Sequence, residues 1–139
     1  MLARELGVRN PRAFGEAYDV QIGIAGDLDL PRSKLLDRIR SMLGVTARVV
    51  PAGPERVQRI GIVTGAGTGE LRTAVRAGLD TFLTGEGPHH SYLEAEELGL
   101  NLIYAGHYAT ETVGVKALAA HVGERFGLPW SFVDHPTGM

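Results

Sequence analysis

The sequence of 139 residues contains no cysteine. Disulfide frameworks, thiolate nucleophiles and thiolate metal ligands are therefore excluded, which leaves His, Asp and Glu as the side chains that could bind a metal ion. An excess of one charge is also lacking, because 14 Lys and Arg residues stand against 16 Asp and Glu residues. The formal net charge of -2 gives no general attraction to a phosphate backbone, so nucleic-acid binding is disfavoured as a function.

Long apolar runs are missing as well. No stretch approaches the ~18 residues that crossing a bilayer requires, and the start MLARELGVRN lacks the apolar core of a signal peptide. We therefore expect a cytoplasmic protein with no membrane partner. Residues 1–6 are predicted to form a helix that ends at Gly7, but no capping residue precedes them. Such a short, uncapped helix indicates an element that a longer protein would complete.

The first half of the chain predicts two strands and a helix between them. After a loop, residues 18–25 alternate apolar and polar side chains, which is typical of a half-buried strand. Pro31 suits a first helical turn, and apolar residues then recur at helical spacing until Gly44. A short strand is predicted at residues 47–50.

A quasi-repeat of 21 residues, with starts at positions 59, 80 and 101, dominates the second half. Its units are RIGIVTGAGTGELRTAVRAGL, DTFLTGEGPHHSYLEAEELGL and NLIYAGHYATETVGVKALAAHV. Each begins with apolar or β-favouring residues, passes through a glycine-containing turn and continues as a helical pattern. Repeating βα units predict an α/β fold over residues 1–139, with a mostly parallel sheet, helices on its faces and a last strand at 130–133.

The third helix of the repeat is predicted to bury an apolar stripe formed by Val115, Leu118, Val122 and Phe126. His121 lies beside this stripe and is interpreted as an edge residue. Near the end of the sequence, His135 could add to a site or lie in a frayed tail, and the tail is the favoured interpretation.

In an open parallel sheet, ligands bind beyond the carboxyl ends of the strands, where the βα loops collect. These loops are predicted at residues 64–70, 84–90 and 106–111. The side chains there that could bind a metal ion or transfer a proton are Glu70, Glu86, His89, His90, His107 and Glu111.

The spacing of His107 and Glu111 points most directly to a site. Because the two residues are four positions apart on a helical turn, their side chains lie on one face of the helix. They could bind one cation such as zinc, iron or manganese. The alternative is a helix-start carboxylate near a loop histidine. Glu86 follows Gly85 just after a predicted strand and could be a ligand, a general base or a group that orients His107. Alternatively, it is an anion that caps the next helix.

Two further features leave alternatives open. His89 and His90 would point about 100° apart on a helix, so either one lines a pocket or both are merely exposed. The glycine-rich turn 65–69 resembles a phosphate-binding loop, but Glu70 would repel a pyrophosphate and no Gly-Lys-Ser/Thr follows. Tight packing is favoured for this turn. A nucleotide- or phosphate-binding module, or an assembly scaffold without activity, remains an alternative function.

The stretch LTGEGPHHSYLEAEELGLNLIYAGHYATE, with the later PWSFVDHP, resembles the Nif-three-like family of dinuclear metal-binding proteins, whose members are named GTP cyclohydrolase 1 type 2 homologues. The motifs that carry the resemblance are Ala105-Gly106-His107-Tyr108-x-Thr110-Glu111, Thr84-Gly85-Glu86 and Gly65-x-Gly67. The similarity extends over nearly all 139 residues.

The resemblance implies a metal-dependent hydrolase that acts on a small molecule and assembles as a hexamer. His107 and Glu111 would be metal ligands, and Glu86 would be a neighbour of the site with a catalytic role. Two divalent metal ions per site are implied for the complete family protein. Its further ligands come from an amino-terminal region that this sequence lacks, so residues 1–139 would be the carboxyl-terminal part of a longer two-region protein, with an incomplete metal site.

Overall fold

A computed structural model describes residues 1–137 as one six-stranded sheet with five α-helices and a short 3-10 turn. The strands are β1 (Arg9–Ala17), β2 (Val20–Pro31), β3 (Arg48–Pro51), β4 (Arg56–Ile62), β5 (Thr81–Thr84) and β6 (Asn101–Tyr104). The helices are α1 (Leu2–Glu5), α2 (Arg32–Leu43), α3 (Leu71–Arg76), α4 (His90–Leu98) and α5 (His107–Phe126), and the 3-10 turn is Thr68–Glu70. The strand order is β1-β2-β4-β5-β6-β3.

The prediction of a mostly parallel sheet is wrong. Of the strand pairs within residues 1–137, β4–β5 and β5–β6 are parallel, whereas β1–β2, β2–β4 and β3–β6 are antiparallel. The quasi-repeat covers just the three parallel strands. The region before the quasi-repeat contains a hairpin, β1–β2, whose turn residues Tyr18 and Asp19 both have positive φ angles, as tight hairpin turns require.

The prediction of a strand at residues 130–133 is also wrong, because these residues form neither helix nor strand. Strand β3 pairs with β6 and occupies the sheet edge where a further strand would have paired. Residues 128–135 contact α5 instead. The Leu128 N–H donates to the Gly123 carbonyl at 3.0 Å, and the Lys116 ammonium lies 4.2 Å from the centre of the Phe132 ring.

Both faces of the central strands are buried, as helices on both faces of a sheet require. Phe82 and Leu102 lie in a cluster with residues of α3 and α4. Their chain neighbours Leu83 and Ile103 lie in a second cluster with residues of α1 and α2. This alternation explains why β5 and β6 carry apolar residues at consecutive positions.

Helix α5 differs from the prediction of a buried stripe. Val115, Leu118, Val122 and Phe126 are 37 to 65% exposed, and the buried residues of the helix are Thr110 and Gly123. Helical periodicity shows which face of a helix is apolar, but not whether anything covers that face. His121 is exposed. No helix within residues 1–137 is both long enough and apolar enough to traverse a lipid bilayer.

Candidate metal centre

The parallel strands β4, β5 and β6 end at the same edge of the sheet, and backbone hydrogen bonds join the loops that follow them. The carbonyl oxygen of Gly65 accepts the Gly85 N–H at 2.8 Å and the Glu86 N–H at 3.0 Å. The Gly106 N–H donates to the Gly85 carbonyl at 2.9 Å. The loop after β5 is therefore held from both sides, by the loops after β4 and β6.

Two buried threonines complete this network. The Thr84 hydroxyl donates to the Gly65 carbonyl at 3.0 Å and accepts the Gly67 N–H at 2.9 Å. The Thr110 hydroxyl accepts the Gly65 N–H at 3.1 Å and lies 2.9 Å from the Gly106 carbonyl, to which it donates. Every one of these contacts fixes the backbone on which the candidate site is built.

Gly65 allows two functional side chains to approach the loop closely. Its φ angle of 66° lies in the region that favours glycine. A Cβ atom at this position would lie 2.6 Å from Glu111 Oε1 and 3.2 Å from His107 Nε2. Any other residue here would push against the pair of side chains that the sequence predicts as metal ligands.

His107 is the first residue of α5 and contacts a carboxylate on each side of its ring. On one side, Nδ1 lies 2.9 Å from Glu86 Oε1. On the other, Nε2 lies 3.3 Å from Oε1 of Glu111, one helical turn further along. The three side chains are 34 to 55% exposed, so the cluster opens to solvent.

The two contacts are chemically different. Ionised Glu86 can only accept, so the Nδ1 atom of His107 carries the proton in their hydrogen bond. In a neutral ring, Nε2 then has a lone pair that faces the carboxylate of Glu111. Two acceptors at this distance repel each other unless a cation lies between or beside them, and either a proton or a metal ion can take that role.

Without a metal ion, protonation of His107 can supply this positive charge. The hydrogen bond with Glu86 and the negative charges of Glu111 and Glu86 raise the pKa of His107 above its ordinary value, although desolvation opposes the rise. The protonated ring can donate to both carboxylates.

The distance between the two facing atoms also fits a shared metal ion. Zn²⁺ binds His nitrogen and carboxylate oxygen at about 2.0–2.2 Å, and two ligands at a tetrahedral angle are then about 3.3 Å apart. The observed separation of 3.3 Å equals this value. Within residues 1–137, however, no group of three or more His, Cys, Asp or Glu side chains is arranged to hold a metal ion. The pair therefore fits part of a coordination sphere.

A family model described as Duf34/NIF3 (NGG1p interacting factor 3) matches residues 1–137. The chain belongs to the Duf34/NIF3 family. Curated relatives named "GTP cyclohydrolase 1 type 2 homolog" include proteins from Deinococcus radiodurans, 40% identical over 141 residues, and Archaeoglobus fulgidus, 36% identical over 139 residues. Both alignments cover 100% of this chain but 54% and 56% of those relatives. The chain thus spans about half the length of the curated relatives it matches.

Solved structures agree with this family assignment. A protein described as "ybgI, unknown function" matches 98% of this chain and 54% of its own, with a TM-score of 0.86 and 33% identity. The structure of TTHA1606 from Thermus thermophilus matches 99% of this chain and 54% of its own, with a TM-score of 0.80 and 42% identity. The resemblance recognised in the sequence motifs is confirmed.

Not all the residues predicted at this edge of the Duf34/NIF3 fold meet there. Glu86, His107 and Glu111 are in contact. Glu70 instead packs toward the β1–β2 hairpin, where its Cγ would lie 3.3 Å from a Cβ atom at Gly15. His90 is exposed at the start of α4.

The glycine-rich turn adopts the packing role that the sequence favoured. The N–H groups of Gly65 and Gly67 donate to Thr110 and Thr84, and the Glu70 N–H donates to the Gly67 carbonyl. A phosphate-binding loop must leave such amides free for its ligand. Three of them are used within the protein.

Tyr108 is a residue that the sequence reasoning missed. Its hydroxyl donates to Asp134 Oδ1 at 3.0 Å and accepts the His135 N–H at 2.7 Å. His135 thus lies in an exposed segment without helix or strand, and its backbone N–H contacts α5 through Tyr108. The position of Tyr108 directly after His107 was the available signal, but no periodic pattern links it with a segment 26 residues away.

Proposed function

We propose that this chain supplies part of a divalent-metal centre in a metal-dependent hydrolase of the Duf34/NIF3 family. His107 and Glu111 are the metal ligands, and Glu86 is the residue that positions His107. One observation carries the proposal: His107 Nε2 faces Glu111 Oε1 at 3.3 Å while Nδ1 is bound to Glu86. In this arrangement Nε2 of His107 and Oε1 of Glu111 can both bind one cation, while Glu86 holds the imidazole ring through Nδ1.

Glu86 has the geometry of a carboxylate that orients a metal-binding histidine. By accepting the Nδ1 proton it fixes the tautomer and makes Nε2 a better ligand. Its carboxylate is partly exposed, so it could also accept a proton from a reacting group. A bound zinc, iron or manganese ion would supply Lewis acidity for hydrolysis at this edge of the sheet.

The remaining parts of the proposal follow the family resemblance. Two ligands alone bind a divalent ion weakly, so we propose that the other ligands of a two-metal centre come from outside residues 1–137. A hexamer in the cytoplasm is the proposed working form, and an unidentified small molecule is the proposed substrate. GTP appears in the name of the curated relatives, and we do not propose it as the substrate.

The test is a zinc titration against a competing fluorescent indicator, with the same protein assayed for metal content by mass spectrometry. His107→Ala should weaken zinc binding at least about tenfold. His121→Ala is the matched control, because His121 is exposed on the same helix and should leave the affinity unchanged. Equal zinc affinity in the wild type and in His107→Ala would overturn the proposal.

Glu86 needs a separate variant because it touches the metal only through His107. Glu86→Gln keeps an acceptor for Nδ1 but removes the charge, so we expect a smaller loss of zinc affinity than for His107→Ala. Glu86→Ala, which removes the acceptor too, should fall between those two variants. A loss for Glu86→Gln equal to that for His107→Ala would indicate that Glu86 is itself a ligand.

A further inference from the structure

A cavity of about 400 Å³ opens beside Glu86. It is lined by Arg48, Glu86, Gly87, Pro88, His89, Tyr92 and Tyr104. Its volume lies within the range of small-molecule sites, about 300–1,000 Å³. The metal-centre residue Glu86 therefore forms one wall of a space that could hold a ligand.

Another wall of this cavity carries a positive charge. Arg48 lies directly opposite Tyr104 in the antiparallel β3–β6 pair, so both side chains project from the same face of the sheet. Arg48 is exposed and takes part in none of the ion pairs formed within residues 1–137. Its guanidinium group is available to an anionic group of a ligand.

Two tyrosine rings also line this cavity. Ser91 donates its single hydroxyl proton to the Pro88 carbonyl, so the Tyr104 hydroxyl must be the donor in its 2.7 Å contact with Ser91 Oγ. This bond fixes the Tyr104 ring. Tyr92, from the first turn of α4, is 40% exposed and presents a second ring. Such rings bind planar, apolar groups by stacking or edge contacts.

The charged groups that line the cavity determine how an anionic ligand would be oriented in it. Glu86 is the one carboxylate among its lining residues, and that group is already bonded to His107 at 2.9 Å. Arg48 and the imidazole of His89 supply the basic groups. A ligand with an anionic group would place that group at Arg48 and would extend its other end toward Glu86 and His107.

We propose that this cavity binds a molecule with a planar ring and an attached anionic group, with Arg48 contacting the anion and Tyr92 and Tyr104 contacting the ring. That this ligand is a substrate rests on the function proposed above. That it binds does not depend on that function, because Arg48, Tyr92 and Tyr104 are not part of the proposed metal centre. The assignment also differs from a phosphate site in the glycine-rich turn 65–69, which does not line this cavity.

Calorimetric titration of the metal-free protein tests the assignment. Two probes carry both a planar ring and an anionic group: guanosine monophosphate, whose anion is a phosphate, and nicotinate, whose anion is a carboxylate. Two further probes carry one feature each: guanosine has the ring alone, and inorganic phosphate is the anion alone. We expect saturable binding of at least one ring-bearing anion, and binding of guanosine or phosphate at least about tenfold weaker. Comparison of the phosphate with the carboxylate identifies the preferred anion.

Variants locate the bound molecule. Arg48→Gln should weaken binding of the ring-bearing anion about tenfold or more, and Tyr92→Leu should weaken it less. The matched control is Arg40→Gln, an exposed arginine of α2, which should leave binding unchanged. This titration uses the metal-free protein, whereas the zinc titration of His107→Ala tests the metal proposal, so failure of the metal proposal and failure of this assignment are distinguishable.

Two results would overturn the assignment. One is the absence of saturable binding for both ring-bearing anions. The other is binding that Arg48→Gln and Tyr92→Leu leave unchanged, which would place the ligand at the glycine-rich turn or elsewhere. Because Arg48 and Tyr92 are exposed to solvent, circular dichroism should show the folded spectrum for both variants.

Discussion

The parallel strands and the outer part of α5 are both rich in apolar residues, but they are packed in opposite ways. Phe82, Leu83, Leu102 and Ile103 are 0% exposed, whereas Leu118 on α5 is 64% exposed. His107 and Glu111, the proposed metal ligands, lie where the two regions meet, in the first turns of α5. The helix is anchored there by Thr110 and by the loops beneath it. Stability and site geometry should therefore depend on the strands and the first helical turns, and little on the rest of α5.

The largest expected effect contrasts a core leucine with a leucine of α5. Leu102→Ala removes buried side-chain volume between helices and sheet and should lower the free energy of unfolding by about 2–5 kcal/mol. Leu118→Ala, on the exposed face of α5, should change it by about 0.5 kcal/mol or less. Denaturant unfolding of both variants measures the difference. Similar losses would mean that the α5 face is covered in solution.

The next comparison lies within one loop. Gly65→Ala places a Cβ atom at a positive φ angle and against Glu111, so we expect a loss of about 1–3 kcal/mol in stability together with weaker zinc binding. Gly69→Ala is the matched control, because nothing lies within 4 Å of a Cβ atom there and its φ angle is not positive. If Gly65→Ala bound zinc as tightly as Gly69→Ala, the close approach of the loop would be irrelevant to the centre.

A third test examines the charge behind His107. In the metal-free protein, an NMR titration should give His107 a pKa above the ordinary value, and Glu86→Gln should lower that pKa. Glu97→Gln, an exposed carboxylate of α4, should not change it. An unchanged pKa in Glu86→Gln would argue against the negative charge of Glu86 as a cause of the shift.

The same shift has a consequence for stability. A raised pKa means that the folded state holds the His107 proton more tightly than the unfolded chain does. The resulting stabilisation is fully present below the ordinary histidine pKa and is lost as the pH rises through the folded-state value. Glu86→Gln should reduce this stabilisation at low pH and have little effect at high pH.

The smallest expected effect concerns the contact of Tyr108 with residues 134 and 135. Tyr108→Phe removes the hydroxyl that contacts Asp134 and His135, both exposed, so global stability should fall by about 1 kcal/mol or less. Amide exchange at His135 should nevertheless become faster, because its N–H loses its acceptor. Unchanged exchange at His135 would show that other contacts hold this segment beside α5.

The sequence predicts the parallel part of the fold well because that part is built from local patterns. The three repeat units, their loops and the four-residue spacing of His107 and Glu111 all follow from neighbouring residues. Strand β1 is a different case, since Pro11 and Gly15 are typical of loops and only pairing with β2 makes the segment a strand. That pairing is a property of the tertiary structure.

In the candidate site, too, some contacts follow from neighbouring residues and others from the tertiary structure. Helical geometry brings His107 and Glu111 together, and so their proximity can be predicted from spacing. The contact of Glu86 with His107 joins two loops 21 residues apart in sequence, and its expected position depended on recognising parallel strands. The cavity beside Glu86 could not be predicted, because Arg48 reaches it from an edge strand that pairs antiparallel. The part that Glu86, His107 and Glu111 play in binding a metal ion stays a prediction.

The Gly65 carbonyl accepts from two backbone amides and one hydroxyl, all of which belong to the unit that follows its own. No single loop of this edge can therefore adopt its final backbone position alone. We expect the candidate centre to appear in one cooperative step during folding, after the three strands have aligned. A chain trapped with two aligned strands would have much of its secondary structure and no affinity for a cation at His107.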